Sequence, residues 1–198
     1  SDLAQLLNDI TSIPKNFRAR VGMMNPKHAT RIKSDLIESF DSKKIYKFLH
    51  LPVQSGSNKV LNDMKRDYNI SEFKDIVESF RERFPDLYLA TDIIVGFPTE
   101  TENDFQKSCD LIEEIKPDKV NLTRFTPMPR TEAKEMEQIE SEEKKRRSKK
   151  MSEIIKDIGY EINKRYVGMT MNGLVEKKGK KGGYSARIQN YKPVIVED

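Results

Sequence analysis

Residues 47–66 read Lys-Phe-Leu-His-Leu-Pro-Val-Gln-Ser-Gly-Ser-Asn-Lys-Val-Leu-Asn-Asp-Met-Lys-Arg. The stretch opens on an apolar run, Phe48 to Val53, of buried-strand length. It breaks into the small, polar turn Gln54-Ser55-Gly56-Ser57, and Val60, Leu61 and Met64 then follow at helical spacing, with Ser57 placed to cap that helix. A strand that ends in a polar turn and re-enters as a helix is where α/β sheets and barrels put their ligands. A second such strand end lies at Ala90-Thr91-Asp92-Ile93-Ile94-Val95-Gly96-Phe97-Pro98.

Outward from these two strand ends the chain alternates. Residues 2–12 read as a helix stopped by Pro14, Phe17 to Val21 as a short strand, and His28 to Phe40 as a helix. Beyond the first strand end, helices are expected over 59–65 and 71–84, the latter capped by Ser71. A strand follows over 87–95, a helix over 101–115 and a strand over 119–125. Four strands alternating with helices predict a parallel sheet with right-handed crossovers. After Pro127 and Pro129 the pattern changes to a long helix over 141–166, with Met151, Ile154, Ile155, Ile158 and Ile162 on one face. Thr170 to Val175, Tyr184 to Ile188 and Pro193 to Val196 read as three antiparallel strands of a small barrel.

The bulk numbers exclude more than they assign. A net charge of +4 over 198 residues identifies no partner by itself. One cysteine, Cys109, rules out a disulfide scaffold and any cysteine-ligated zinc or iron–sulfur site built by these residues alone. No apolar run approaches membrane-spanning length, so a cytoplasmic protein is expected. The chain opens inside an amphipathic helix without a start methionine and closes on a strand-like run, so a piece of a longer protein is expected. Basic residues concentrate late: Lys164 to Lys192 carries eight of them against one acid, Glu176. Lys177, Lys178, Lys180, Lys181 and Arg187, with Tyr184 and Tyr191 interleaved, favour an RNA surface with tyrosines that stack on bases. The run Lys144 to Lys150 reads as a solvated helical face.

Individual residues leave alternatives open. Gln54 offers an amide for a ribose hydroxyl or a carboxylate. Arg66, returned over the strand ends by its helix, suits a ligand carboxylate. Asp92, inside an apolar strand, needs a cation or hydrogen-bond donors, and serves either a ligand or an ion pair within the sheet. His50 reads as a core histidine and Cys109 as packing. Phosphate-loop and His-Glu-x-x-His motifs are absent from the sequence.

Leu51-Pro52-Val53-Gln54-Ser55-Gly56-Ser57 with Met64-Lys65-Arg66, then Ala90 to Pro98 with Glu100-Thr101, Arg124-Phe125-Thr126-Pro127 and Asn190-Tyr191-Lys192-Pro193-Val194, resembles the radical S-adenosylmethionine methylthiotransferases. Met64 to Tyr68, Met24-Asn25-Pro26 and Lys180 to Tyr184 are most similar to the branch acting on threonylcarbamoyladenosine in tRNA. The family's Gly-Phe-Pro-Gly-Glu-Thr has Thr99 as its fourth residue here, and its Pro-Arg-Pro-Gly-Thr-Pro appears as Pro127 to Glu132. The resemblance implies the later part of an incomplete (β/α) barrel with four parallel strands over residues 1–140, a connecting helix over 141–166, and part of an OB-like TRAM RNA-binding domain over 167–198. It implies S-adenosylmethionine as cofactor, contacted through ribose and carboxylate by a set of Gln54, Ser57, Arg66 and Asp92, with Phe125 near the adenine. It also implies two 4Fe–4S clusters ligated outside these residues, tRNA as partner, and radical addition of a methylthio group to adenine C2, with the fragment itself inactive. A rival reading is a non-catalytic RNA-binding protein whose α/β half is a scaffold; a Cys-x3-Cys-x2-Cys loop upstream of Ser1 would decide for the enzyme. A complete eight-stranded barrel is excluded by strand number.

Overall fold

A computed structural model describes residues 2–179 and 182–197. Its first helix, α1 (Leu3–Ser12), is capped by Asp2, whose carboxylate accepts the Gln5 N–H at 3.0 Å. The single helix expected over 28–40 is two, α2 (Pro26–Arg31) and α3 (Lys33–Ser39), because Ile32 leaves helical geometry at φ −121° and ψ 22°. Asn25 caps α2 and Pro26 fills its first position, where a missing N–H costs nothing.

The sheet then builds by alternation: β1 (Phe48–His50), α4 (Asn58–Asp63), α5 (Ile70–Arg83), β2 (Tyr88–Val95), α6 (Glu102–Ile115) and β3 (Lys119–Arg124). The order is β1-β2-β3, all parallel, with Phe48 opposite Tyr88 and Asp92 opposite Asn121. The parallel sheet therefore has three strands, not four. The stretch Phe17 to Val21 makes parallel bridges only at Ala19–Ile45 and, just beyond it, Met23–His50. Partner spacing slips by one residue between those bridges, so no continuous ladder forms. The N-cap of α5 is Asn69 rather than Ser71; its side chain accepts from Glu72 N–H while the Glu72 carboxylate accepts from Asn69 N–H, a full capping box.

Period-two alternation gives β2 two faces. Leu89, Ile93 and Val95 join the main core with Phe73, Ile76 and Phe80 of α5 and Phe105 and Ile112 of α6. Tyr88, Ala90, Asp92 and Ile94 point to the opposite, concave face. A short helix, α7 (Glu132–Glu135), leads into α8 (Ser141–Lys164), which lays Met151, Ile158 and Ile162 on the core beside β3.

The last third is a three-stranded antiparallel sheet, β4 (Gly173–Lys178), β5 (Tyr184–Ile188) and β6 (Pro193–Val196). It is fastened to the barrel half at several points. Lys47 N–H donates to Gln189 C=O at 3.1 Å, and the Asn190 amide donates to Asp86 C=O and the Tyr166 hydroxyl at 2.9 and 3.0 Å. Lys192 lies 3.6 Å from the buried Asp118 carboxylate, and Tyr191 sits edge-on against Tyr46 and Phe48. Tyr191, expected to stack on bases, is thus half-buried in a second aromatic cluster on the concave face. Lys180 and Lys181 lie outside the described residues.

Candidate functional site

The turn after β1 is anchored by α6. Gly56 approaches that helix so closely that a Cβ there would collide with the Lys107 carbonyl, and its N–H donates to Ser108 Oγ at 2.8 Å. Ser57 is buried, and its hydroxyl donates to Asp104 Oδ1 at 2.7 Å instead of capping α4. Ser57 therefore acts as a strut between turn and helix, a correction to its expected capping role. Burial pushes the Asp104 carboxyl upward, but hydrogen bonds from Thr101 and Ser57 outweigh that and hold it at about 2.

Gln54 follows directly at the strand end with φ 71°, in the left-handed region that costs a non-glycine residue about 1–2 kcal/mol. Two backbone bonds to β2 hold it there: Gln54 N–H to Asp92 C=O at 2.8 Å and Ile94 N–H to Gln54 C=O at 2.9 Å.

Arg66 is placed by how α4 ends. Lys65 takes φ 56°, Arg66 N–H reaches back to Leu61 C=O and Lys65 N–H to Asn62 C=O, the paired bonds of a Schellman closure. The closure stops the helix and returns Arg66 toward the strand ends. Its guanidinium is exposed and has no ion pair among the described residues. Two positions later Tyr68 is buried and donates to the carbonyls of Pro52 and Val53 at 3.2 Å, pinning the end of the β1 segment; burial raises its phenol to about 12, and Arg66 and Asp92 act on it with opposite sign.

Asp92 faces the concave side between two donors. Asn121 Nδ2 lies 2.6 Å and His50 Nε2 2.9 Å from its Oδ1. The partner within the sheet left open for Asp92 is thus half-buried His50, at hydrogen-bond distance. Sequence reading missed Asn121 and Tyr68; the signal for Asn121 is a polar residue at the third position of β3, in register with Asp92.

Above this belt a cavity of about 490 Å³ opens at the strand ends, a volume typical of small-molecule sites. Met64, Ile94, Phe97 and Phe125 supply its apolar lining, and Arg66, Lys65 and Arg130, with Asp63 and Glu132, its charged lining. Phe125 meets Phe97 edge-on at 5.0 Å, and Lys144 of α8 lies 5.4 Å over its ring. The structure brings Arg66 and Phe125 to this cavity; Gln54 and Ser57, in the turn after β1, and Asp92, on β2 two residues before Ile94, are not among its lining residues. Such walls suit a ligand with a carboxylate at one end and a flat apolar group at the other.

Cys109 is buried on the helix side of the sheet, and burial raises its thiol to about 11, so it is a protonated packing group and does not fit a cluster ligand. On the antiparallel sheet, Lys177 and Lys178 are exposed, Tyr184 is 41% exposed, and Arg187 is engaged with Glu176 at 3.1 Å and over the Tyr191 ring at 4.3 Å. The described residues include no helix long and apolar enough to cross a membrane.

Comparison with known proteins gives these features a context. The family model described as Radical SAM superfamily matches residues 18–112. A probable threonylcarbamoyladenosine tRNA methylthiotransferase of Archaeoglobus fulgidus is 49% identical over 98% of the chain, and one of Pyrococcus abyssi is 50% identical over 99%; the chain spans 46% of each. The human threonylcarbamoyladenosine tRNA methylthiotransferase is 37% identical over 93% of this chain, which covers 32% of it. The chain thus spans about half the length of the archaeal relatives it matches. The Escherichia coli coproporphyrinogen III oxidase HemN, a radical SAM enzyme, shares the fold with a TM-score of 0.63 over 79% of this chain and 37% of its own, at 15% identity. Through the matched domain and the identity sustained along nearly all its length, the chain is similar to the radical S-adenosylmethionine methylthiotransferases.

Proposed function

We propose that these residues are the cofactor-holding and RNA-facing part of a tRNA methylthiotransferase that modifies C2 of N6-threonylcarbamoyladenosine. The observation that carries this reading is the 49% identity to a protein of that name over 98% of the chain. The cavity supports it. S-adenosylmethionine, when bound and given one electron by a cluster ligated outside these residues, would supply the radical chemistry at the target carbon. Arg66 holds the methionyl carboxylate in a charge-assisted pair, and Phe125 with Ile94 forms a shelf for the adenine. Gln54, locked by backbone bonds, and Asp92, oriented by His50 and Asn121, face the ribose. The iron–sulfur clusters are ligated by residues outside this chain. Lys177, Lys178, Lys180, Lys181, Tyr184 and Arg187 form the start of the RNA surface of a TRAM-type, OB-like barrel.

The test is genetic and chemical. Nucleosides of tRNA from a strain lacking the full-length gene should retain threonylcarbamoyladenosine and lose its methylthio derivative, and the intact gene should restore it. An unchanged nucleoside profile in the deletion strain refutes the reading.

A further inference from the structure

A second cavity, of about 570 Å³, lies on the same concave face, nearer the start of the strands and against the antiparallel sheet. Arg20, Lys119 and Arg187 meet there, from the bridge segment, β3 and β5 respectively, with Phe48, Tyr88 and Tyr191 forming apolar walls. Arg20 and Lys119 are exposed and have no ion pair among the described residues; Arg187 shares its charge with Glu176. Arg20 and Arg187 lie 5.2 and 4.3 Å from the centre of the Tyr191 ring. The nearby Asp92 carboxylate is already held by His50 and Asn121.

Three cations brought to one recess with low-dielectric walls repel one another, and the same walls focus their field on any anion that enters. The two cavities lie along one strand: Ala90 lines this one and Ile94 the other, four residues on, or roughly 13 Å at a strand's rise. That is the reach of a nucleotide and its substituents. The Arg66 cavity can therefore serve the cofactor while this one serves the RNA.

We infer that Arg20, Lys119 and Arg187 form a receiving pocket for an anionic group of the RNA substrate. That group is either a backbone phosphate or the carboxylate that the threonylcarbamoyl group places on the target base. The inference rests on the proposed tRNA substrate.

The test uses the full-length enzyme and two anticodon stem-loop RNAs, one with adenosine and one with threonylcarbamoyladenosine at the target site, with binding read by fluorescence anisotropy. Lys119→Ala and Arg20→Ala should each weaken binding about ten- to a hundredfold, in the range of a lost charge-assisted hydrogen bond. Arg20→Lys should recover part of that. An equal loss for both RNAs, with a salt slope reduced by about 0.7 per charge, identifies a phosphate; a loss confined to the modified RNA identifies the carboxylate. Lys119→Ala removes a side chain with no described ion-pair or stacking role, so its effect is not one of folding. Parent affinity in both alanine variants, for both RNAs, overturns the inference. A parent enzyme that binds neither RNA overturns the proposed function and the pocket with it.

Discussion

Two stretches of this chain are about equally rich in lysine and arginine, and the structure uses them in opposite ways. In α8, Arg147 donates to Glu100 Oε1 at 2.6 Å, with side chains only 7% and 0% exposed; Arg146 pairs with Glu102 and Glu143, Lys150 donates to Gln106, and Lys144 donates to Phe125 C=O. That run is a clasp holding the long helix onto the turn after β2 and the start of α6. In the antiparallel sheet, Lys177 and Lys178 project into solvent with no ion pair among the described residues. What separates the two stretches is not their composition but whether carboxylates some 40 residues away arrive beside them. A solvated face, the reading made for 144–150, holds for Lys145, Arg146 and Lys149, which are exposed, while Arg147 is buried and Lys144 and Lys150 are half-buried.

The largest test of this contrast is Arg147→Ala in the full-length protein. It strands the buried Glu100 carboxylate, whose pKa burial already raises, and should cost about 3–5 kcal/mol in denaturant unfolding. Pairing it with Glu100→Gln should recover part of that loss. An Arg147 variant of normal stability with weakened RNA binding would reverse the roles assigned to the two regions.

Arg66 is a third kind of cation, exposed and returned toward the strand ends by a helix closure. Arg66→Ala should weaken S-adenosylmethionine binding by about 1.5–3 kcal/mol in calorimetry; unchanged affinity would move the cofactor away from this wall. The acid side of the clasp region also responds to pH. Asp104, held at about 2, lies below an unfolded aspartate near 4, so its contribution is present above about pH 4 and is lost as pH falls toward 2. On the order of 2 kcal/mol is at stake, and Asp104→Asn should flatten the acid limb of a stability–pH curve.

The smallest effect sharpens the contrast most. Changing Lys177, Lys178, Lys180 and Lys181 to Ala should leave stability within about 0.5 kcal/mol. It should weaken tRNA binding and reduce the salt slope by roughly 0.7 per lost contact. Parent-like binding would remove the basic strands from the RNA surface.

What could be read from residues alone follows how local each signal is. The apolar runs before Gln54 and before Gly96 announce β1 and β2, and the tail's three strands fall close to where alternation puts them. Arg66 and Phe125 share a cavity, as their positions at strand and helix ends imply. The edge stretch at Phe17 was unreadable, because a one-residue slip in partner spacing leaves no trace in its own composition. Ser57 looked like a cap because a serine before a helix usually is one; its diversion to Asp104 depends on a residue 47 positions away. Asn121 and Tyr68 acquire their roles only through register and a helix closure.

The fastening of the tail sheet has a mechanical consequence. Tyr191 is wedged among Tyr46 and Phe48, Asn190 bridges Asp86 and Tyr166, and Lys192 is bound toward buried Asp118. The antiparallel sheet that bears the lysines is therefore fixed to the concave face of the parallel sheet through residues 190–192. On the proposed function, an RNA gripped at one end would be measured against the other, so selection of the target base would become a matter of fixed length, set by the protein before any base is read.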